Sequence, residues 1–394
     1  MTLSKPNKST SFPLLEVVVT ARPSWARVSS IVSSYIKIAG ASRIRVSLVG
    51  PSVSRRYGDI SSQIPTEIIL NRFSTLHESD SLTDVGLSCI EGAESLIRHW
   101  ASNRPDCVLV IADRTETLGV SMAATLMQIP LIHLQGGEVS GSIDDKVRDI
   151  NSKAADLHLT TNAETKARLV SMLESEANIR VVGCPSLDLV LETLNSPLKL
   201  SNSNEITGVG SEFDLRSRYC VILFHPDTLN AQDNRIWTQA IFDLIESRRD
   251  FNWFWFWPNP DHGSDEISKM IRTRRESSQL KSVRFVINTL PKWFIEIAVK
   301  AELIIGNSSF GIRESSFIPK NTLNLGSRQD KRQRADNVKD VKQPSELIQS
   351  FNSLTQINKP IARSLVYGQG NSGQLAAEAI IDWMPKLKIE KRHA

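Results

Sequence analysis

The feature that most constrains this chain is a regular alternation of short apolar runs and longer amphipathic stretches, which begins near residue 14. Short runs rich in Val, Ile and Leu are typical of buried strands, and apolar residues spaced three or four apart are typical of helices. When strands and helices alternate, the connecting helices pack on both faces of the sheet. The sequence therefore predicts an α/β fold with parallel, doubly wound sheets.

The alternation occurs twice. At 394 residues the chain is longer than one core usually serves, and a Ser- and Asn-rich stretch at residues 195–210 separates the two series. We expect a GT-B-like architecture: two Rossmann-like domains, residues 1–190 and 191–366, with a ligand cleft between them. A final helix at residues 374–387, within a tail of residues 367–394, is expected to pack back on the first domain.

The individual elements follow from the same pattern. In the first series we expect strands at residues 14–20, 45–49, 106–111, 131–134, 157–160 and 180–182, and helices at 25–38, 85–100, 116–128 and 163–173. In the second series we expect strands at residues 220–224, 253–257, 283–287, 303–305 and 322–325, and helices at 236–247, 264–275, 292–300, 310–317 and 345–354.

Composition narrows the class of ligand. Lys and Arg number 47 against 43 Asp and Glu, a formal net charge of +4, which suits a small anion better than nucleic acid. The four cysteines are isolated and the seven histidines are dispersed, so we expect buried thiols and no metal site. The polar N-terminus and the short apolar runs predict a cytoplasmic protein with no membrane partner.

Residues 301–314, with the sequence AELIIGNSSFGIRE, give the sharpest local signal. A strand ends at Gly306, and polar residues then open a predicted helix, where backbone N–H groups and the helix dipole attract anions. Simple capping of the helix by serine is the alternative. We expect phosphate binding here, and Glu314 is spaced to accept from ribose hydroxyls. The predicted binding residues of this segment are Gly306, Asn307, Ser308, Ser309, Gly311 and Glu314.

Two predicted strands of the first domain end in acidic clusters. Asp113 follows the strand at 106–111, although it could serve only as a helix cap. Glu138, Asp144 and Arg148 follow the strand at 131–134. Because parallel strands place ligands at their carboxyl ends, this charge predicts an acid–base site.

Three basic groups complete the predicted cleft. Arg22 lies at the first strand–helix junction, where it could reach a diphosphate, and His225 follows the first strand of the second domain. The basic run at residues 328–334, which begins with Arg328, is interpreted as a solvated loop near a phosphate.

Six segments together resemble the hydrolysing UDP-N-acetylglucosamine 2-epimerases, which form N-acetylmannosamine, with a sister group that processes a 2,4-diacetamido sugar for legionaminic acid. They keep their order along nearly the whole chain. The segments are GGEVSGSIDD (136–145), ADR (112–114), GCPSLD (183–188), GNSSFGIRE (306–314), NLGSRQ (324–329) and YGQGN (367–371).

The resemblance implies roles for these residues. UDP would leave from C1 of the sugar while a base removes the C2 proton, and the resulting glycal would be hydrated. Asp113 and Asp144 match acid–base positions, with Arg148 and Asp188 nearby. Arg22, Ser308, Ser309 and the helix at Asn307 would serve the diphosphate, and Glu314 would hold the ribose. The resemblance implies a UDP-sugar partner, no cofactor, and a homo-oligomer, either a dimer or a tetramer.

Gln135 departs from the family pattern, which usually has a catalytic Glu at this position. Since an amide cannot exchange a proton at neutral pH, either Glu138 or Asp144 supplies that function, or the sugar or the step differs. Lys331, in place of a glycine, and the segment Pro23-Ser24-Trp25 depart as well. A glycosyltransferase on the same fold and a catalytically altered UDP-sugar-binding protein are the alternatives.

Overall fold

Two seven-stranded sheets form the protein, which confirms the predicted GT-B-like α/β class. The computed structural model describes residues 12–54, 59–77, 81–141, 143–227, 230–258, 263–277, 280–287, 289–356 and 361–393. No helix among these residues is both long and apolar enough to cross a membrane.

The first sheet has the strand order β3-β2-β1-β4-β5-β6-β7, and every pair is parallel. Side chains of successive β1 residues enter opposite cores: Val17 and Val19 face the core that includes Val28 of the first helix, and Val18 faces the core that includes Leu96. The sheet is therefore covered on both sides. Its elements are β1 (Leu15–Val19), α1 (Arg22–Ala39), β2 (Ile44–Val49), β3 (Ile69–Phe73), α2 (Leu82–Ser102), β4 (Cys107–Ile111), α3 (Glu116–Leu126), β5 (Leu131–Leu134), α4 (Asp144–Ala154), β6 (Leu157–Thr160), α5 (Ala163–Ser171), β7 (Ile179–Val181) and α6 (Ser186–Leu194).

The second sheet has the order β14-β13-β12-β9-β10-β11-β8, with β8 antiparallel to its neighbour. Its first parallel strand, β9, is central, and β1 of the first sheet lies next to the central β4. The cleft-side strand ends of both sheets therefore come from strands at or next to the middle. The elements are β8 (Val209–Gly210), β9 (Tyr219–Leu223), α7 (Ala231–Ser247), β10 (Asn252–Phe256), α8 (Ser264–Glu276), β11 (Val283–Val286), α9 (Pro291–Lys300), β12 (Leu303–Gly306), α10 (Glu314–Phe317), β13 (Thr322–Leu325), β14 (Val338–Val341), α11 (Leu347–Gln356) and α12 (Ser372–His393).

Three strands were not expected from the sequence: β3, β8 and β14. All three lie at sheet edges, where one side of a strand has no partner. Their residues are mostly half-buried or exposed, so they lack the continuous apolar run that marks a central parallel strand. In β3 and β14, polar residues interrupt the apolar ones.

The helix expected at residues 310–317 is wrong in length. The chain forms one 3-10 turn, Ser309–Gly311, and then the short helix α10. The Ser308 hydroxyl accepts from the Phe310 amide at 3.4 Å, and Gly311 packs so closely on Thr322 that a Cβ would lie 2.8 Å from its methyl group. These local contacts favour a tight turn over a continuous helix.

The chain passes between the two domains twice, at α6 and before α12, and both helices are anchored by packing. Leu187 and Val190 of α6 pack in the core of the second sheet, so the predicted boundary at residue 190 falls inside this helix. The helix α12 returns to the first sheet, where Ile380 and Trp383 are buried in its core. Gly373 approaches α1 so closely that a Cβ there would meet the Ser30 backbone at 2.5 Å.

We expect Trp383→Ala to lower the free energy of unfolding by about 3–5 kcal/mol, because a large aromatic group is removed from a closed core. Denaturant unfolding followed by circular dichroism measures this. Asp382→Ala, at the neighbouring exposed position of the same helix, is the matched control and should change it by less than about 0.5 kcal/mol. Equal effects of both variants would contradict the packing of α12.

Candidate active site

The larger of two joined cavities lies between the sheets and has a volume of about 250 Å³. Apolar and aromatic side chains line it together with arginines, serines and a glutamate, so the cavity suits a ligand with a flat apolar part and a charged part. Its lining includes Arg22, Arg27, Ser186, His225, Trp257, Ile287, Phe294, Ser308, Ser309, Arg313, Glu314 and Arg328.

The smaller cavity, of about 110 Å³, is mainly polar. It holds Asp113 and Asp144 from the first domain together with Arg332 from the second. Pro23, Arg27, Ser309 and Arg328 line both cavities. The two cavities are therefore one continuous cleft, with two arginines and a hydroxyl at the junction and carboxylates at one end.

Asp113 is fixed at the end of β4 by an ion pair with the buried guanidinium group of Arg148. Burial by itself would raise the pKa of Asp113, but Arg148, Arg27 and Arg332 hold it well below its usual range. The side chain is thus an anion at neutral pH. The predicted cap role does not describe it, because the turn before α3 shows no side-chain cap.

Glu138 joins the two domains. Its carboxylate forms ion pairs with Arg332 and, at 3.4 Å, with Arg313, while its carbonyl oxygen accepts from Arg148 Nη1 at 2.8 Å. Burial opposes ionisation, but Arg332, Arg313 and Arg148 lower the pKa of Glu138 to about 2. One carboxylate therefore orients two arginines of the second domain, and those arginines line the two cavities.

The adjacent aspartates of α4 have different environments. Asp144 lines the smaller cavity. Asp145 accepts from the backbone amides of Ser140 and Gly141, both at 2.8 Å, and from Arg148 at 2.6 Å. Asp145 therefore holds the loop that precedes the helix, which leaves Asp144 as the carboxylate of this pair that reaches the cleft.

The segment at residues 306–309 does not present the start of a long helix, so the expected dipole contribution is wrong. Gly306 is required by close packing, since a Cβ would lie 2.1 Å from the Leu223 carbonyl oxygen. The Asn307 side chain accepts from the His225 amide and donates to its carbonyl, both at 2.8 Å. Ser308 and Ser309 line the larger cavity. This segment therefore presents Ser308 and Ser309 to the cavity, and not the terminus of a long helix.

Several predicted binding residues meet in the larger cavity. Arg22 donates to the Ile287 carbonyl at 3.3 Å, and Arg328 donates to the Asn307 carbonyl at 3.2 Å. His225 and Glu314 line the same space. Glu314 Oε1 accepts from the Ser186 hydroxyl at 2.6 Å. The cavity thus brings together groups from both domains.

Gln135 and Asp188 have buried partners instead. The Gln135 side chain, 1% exposed, lies against Cys184 and Arg27. Both Asp188 oxygens accept from the amides that begin α12, at 2.9 Å from Ser372 and 2.6 Å from Gly373. The structure therefore gives Asp188 an N-terminal capping role for α12.

A strained peptide positions Asp113. The preceding residue, Ala112, has φ of 57°, a conformation that costs a non-glycine residue about 1–3 kcal/mol. Its carbonyl accepts from His133 Nε2 at 2.9 Å and from Asn151 Nδ2 at 3.3 Å. Burial lowers the pKa of His133 to about 4, so the ring is neutral and carries its proton on Nε2.

Three further arginines that the sequence did not predict line the cleft: Arg27, Arg313 and Arg332. Arg313 lies inside the motif at residues 306–314, and Arg332 lies inside the basic run, so both were present in segments already selected. The run was expected to be solvated, but Arg332 is 9% exposed. Its burial depends on Glu138, which is 194 residues away, and no local pattern reports that contact. Among the described residues, no group of three or more His, Cys, Asp or Glu side chains is placed to hold a metal ion.

Two domains with mainly parallel sheets and a cleft between them define a fold of the GT-B type, and arginines and carboxylates line that cleft. Solved structures with this fold include UDP-N-acetylglucosamine 2-epimerase of Neisseria meningitidis bound to UDP-GlcNAc, with a TM-score of 0.74, 16% identity and coverage of 93% of this chain and 99% of that one. The Methanocaldococcus jannaschii UDP-GlcNAc 2-epimerase in complex with UDP-GlcNAc and UDP has a TM-score of 0.73 and 16% identity, with coverage of 92% of this chain and 98% of that one. These likenesses show the fold.

The sequence model of the UDP-N-acetylglucosamine 2-epimerase family matches residues 38–381. UDP-N,N'-diacetylbacillosamine 2-epimerase (hydrolyzing) of Legionella pneumophila is 32% identical over 277 residues, 70% of each chain. GDP/UDP-N,N'-diacetylbacillosamine 2-epimerase (hydrolyzing) of Campylobacter jejuni is 29% identical over 252 residues, 64% of each chain. The chain belongs to the UDP-N-acetylglucosamine 2-epimerase family.

We expect Glu138→Gln to lower the free energy of unfolding by about 3–5 kcal/mol at pH 7, because it leaves buried arginines without their carboxylate. In the wild type the pKa of Glu138 is lowered from 4.5 to about 2, so its contribution is present above pH 4.5 and is lost as pH falls toward 2. The difference between the two proteins should shrink over that window. Denaturant unfolding at several pH values measures it, and a constant difference would contradict the ion-pair assignment.

We expect Ala112→Val to destabilise the protein by about 1–3 kcal/mol, since a β-branched residue is disfavoured at positive φ. Ala112→Gly is the matched control and should be as stable as the wild type or more stable, because glycine adopts this conformation without strain. Denaturant unfolding compares the three proteins. A glycine variant that is less stable than the valine variant would show that φ at this position does not set the energy.

Proposed function

We propose that the protein releases UDP from a UDP-2-acetamido sugar and yields the free sugar with inverted configuration at C2. Membership of the family makes it an enzyme of the hydrolysing UDP-sugar 2-epimerase kind. The observation that carries the proposal is the continuous cleft, in which the junction of two cavities is lined by Arg27, Ser309 and Arg328.

The shape of the cleft gives the substrate one favoured direction. A nucleoside fits the larger cavity, where the aromatic wall can contact the base and Glu314 can accept from the ribose. The diphosphate then lies at the junction, beside Arg27 and Arg328, and the sugar enters the smaller cavity beside Asp113 and Asp144. Each part of the substrate meets groups of matching polarity.

The chemistry of the sugar explains why these groups lie together. The C2 proton of a pyranose is very weakly acidic, so direct removal would be slow. As the C1–O bond to UDP breaks, the bonding electrons leave on the diphosphate and C1 becomes electron-poor, which acidifies C2–H. Loss of that proton gives a glycal, and water then adds at C1 while a proton returns to C2. Arginines at the junction stabilise the charge that develops on the leaving group.

Asp113 is the proposed base. It lines the smaller cavity, where the sugar is placed, and the arginines Arg148, Arg27 and Arg332 keep it ionised at neutral pH. Asp144, in the same cavity, is the proposed partner that returns a proton to C2. Glu138 takes a different part, because it lines neither of these two cavities and its carboxylate is engaged by Arg313 and Arg332. It orients Arg313 in the larger cavity and Arg332 in the smaller one.

Either UDP-N-acetylglucosamine or a UDP-2,4-diacetamido sugar is the proposed substrate, following the named activities of the relatives. The product would be N-acetylmannosamine or the corresponding diacetamido 2-epimer, as required for sialic or legionaminic acid synthesis. A cytoplasmic location and assembly into a dimer or a tetramer stay predictions.

Incubation of the protein with each UDP-sugar in deuterated water, followed by NMR, tests the proposal. We expect UDP and a free 2-epimer to form together, with one deuterium at C2, because the returning proton comes from solvent. Release of UDP only when a sugar acceptor is added would instead indicate a glycosyltransferase. Absence of UDP release from every acetamido-sugar donor would rule the proposal out.

We expect Asp113→Asn to lower kcat by at least about 100-fold, the usual contribution of a general base, while the affinity for UDP changes by less than about threefold. Steady-state kinetics and calorimetry measure the two effects. Asp250→Asn is the matched control, since Asp250 is largely exposed and pairs with Arg248 at 2.7 Å away from the cleft. Full activity of the Asp113 variant would remove this residue from the mechanism.

A further inference from the structure

A chain of buried hydrogen bonds runs from Arg27 in the first domain to Glu314 in the second. Arg27 Nη1 donates to Gln135 Oε1 at 3.4 Å, and Gln135 Nε2 donates to Cys184 Sγ at 3.2 Å. Cys184 Sγ lies 2.9 Å from Ser186 Oγ, which donates to Glu314 Oε1 at 2.6 Å. Both end residues line the cleft.

Every proton in this chain has one possible position. Arg27 carries only donors, so the Gln135 amide oxygen must face it and the amide nitrogen must face sulfur. The Ser186 hydroxyl has one proton, and it donates this proton in the hydrogen bond to Glu314 Oε1. Cys184 must therefore donate its thiol proton to Ser186 Oγ, and burial raises the pKa of this thiol, so the proton is present at neutral pH. The chain has a single direction, from the guanidinium group to the carboxylate.

The end of the chain leaves one oxygen of Glu314 for a ligand. Oε1 is held by Ser186, while Oε2 is buried without a hydrogen-bond partner in the protein and lies 3.9 Å from Arg313 Nε. A buried carboxylate oxygen without a donor is costly, and a ribose hydroxyl in the larger cavity would supply that donor. At the other end, Arg27 lines the junction of the two cavities.

We propose that Gln135, Cys184 and Ser186 are positioning residues that hold Arg27 and Glu314 in register across the domain boundary and thereby set the affinity for the nucleotide diphosphate. The inference rests on the proposed function for the identity of that ligand. It also assigns Gln135 a role that requires an amide. A carboxylate at residue 135 would accept from Arg27 but, when ionised, would have no proton to donate to Cys184.

The first test is Gln135→Glu, with UDP affinity measured by calorimetry between pH 4 and 8.5, a range that includes the ordinary glutamate pKa of about 4.3. The ionised side chain breaks the chain and adds a negative charge near the diphosphate, so we expect about tenfold weaker binding at pH 8.5. The protonated side chain can donate to Cys184 again. The ratio of the variant's Kd to that of the wild type should therefore fall toward one as the pH is lowered, an effect that a merely loosened fold would not produce.

The second test compares two changes of the thiol. Cys184→Ser keeps one donor and one acceptor and should bind UDP within about threefold of the wild type, whereas Cys184→Ala should bind about tenfold more weakly. Ser186→Ala should match or exceed that loss, because Glu314 Oε1 then has no donor. For Cys184→Ala and Ser186→Ala, the effect should fall on the KM for the UDP-sugar, with kcat within about threefold. Cys107→Ala, a buried thiol in β4, is the matched control and should leave UDP affinity unchanged.

The outcomes separate this inference from the proposed function. Unchanged UDP affinity in Gln135→Glu and Ser186→Ala, with a wild type that binds UDP, would overturn the inference alone. An increase of kcat in Gln135→Glu would also overturn it, because residue 135 would then occupy an acid–base position. A wild type that binds no UDP and converts no UDP-sugar would overturn the proposed function and this inference with it.

Discussion

The ion-pair cluster at Glu138 is the interaction on which the cleft depends. A buried carboxylate of the first domain meets Arg313 and Arg332 of the second, and its backbone carbonyl meets Arg148. Removing these charges from water is costly, and only mutual pairing offsets that cost. The cluster therefore fixes how the two sheets face each other, and it aims two arginines into the space between them.

The same cluster connects the domain contact at Glu138 to Asp113, the proposed base, through Arg148. Arg148 receives the carboxylate of Asp113 as well as the carbonyl of Glu138, so the proposed base is tied to the residue that joins the domains. Strain at Ala112 is held by two donors, His133 of the neighbouring strand β5 and Asn151 of α4. Hydrogen bonds and an ion pair thus fix the position of the proposed base, which suits the proposed removal and return of a proton at one carbon.

Gln135 departs from the family pattern, and the structure gives its amide group two specific hydrogen-bond partners. When only the family motif is considered, an amide at this position indicates the loss of a catalytic carboxylate. In the fold it is buried between Arg27 and Cys184, and its two ends, one donor and one acceptor, are both used. The proposed positioning chain depends on that asymmetry, which a carboxylate has only when it is protonated.

The sequence by itself determined the α/β class, the two successive strand–helix series and the strand–turn junctions that precede Asp113, Glu138, Asp144 and Glu314, because these follow from local periodicity. Edge strands such as β3 escaped it, since a half-exposed strand has no distinctive pattern. Only the tertiary structure decided which charges meet. The pairing of Glu138 with Arg332, the capping of α12 by Asp188 and the partners of Gln135 join residues far apart in the chain, and such contacts are set by how the two sheets pack.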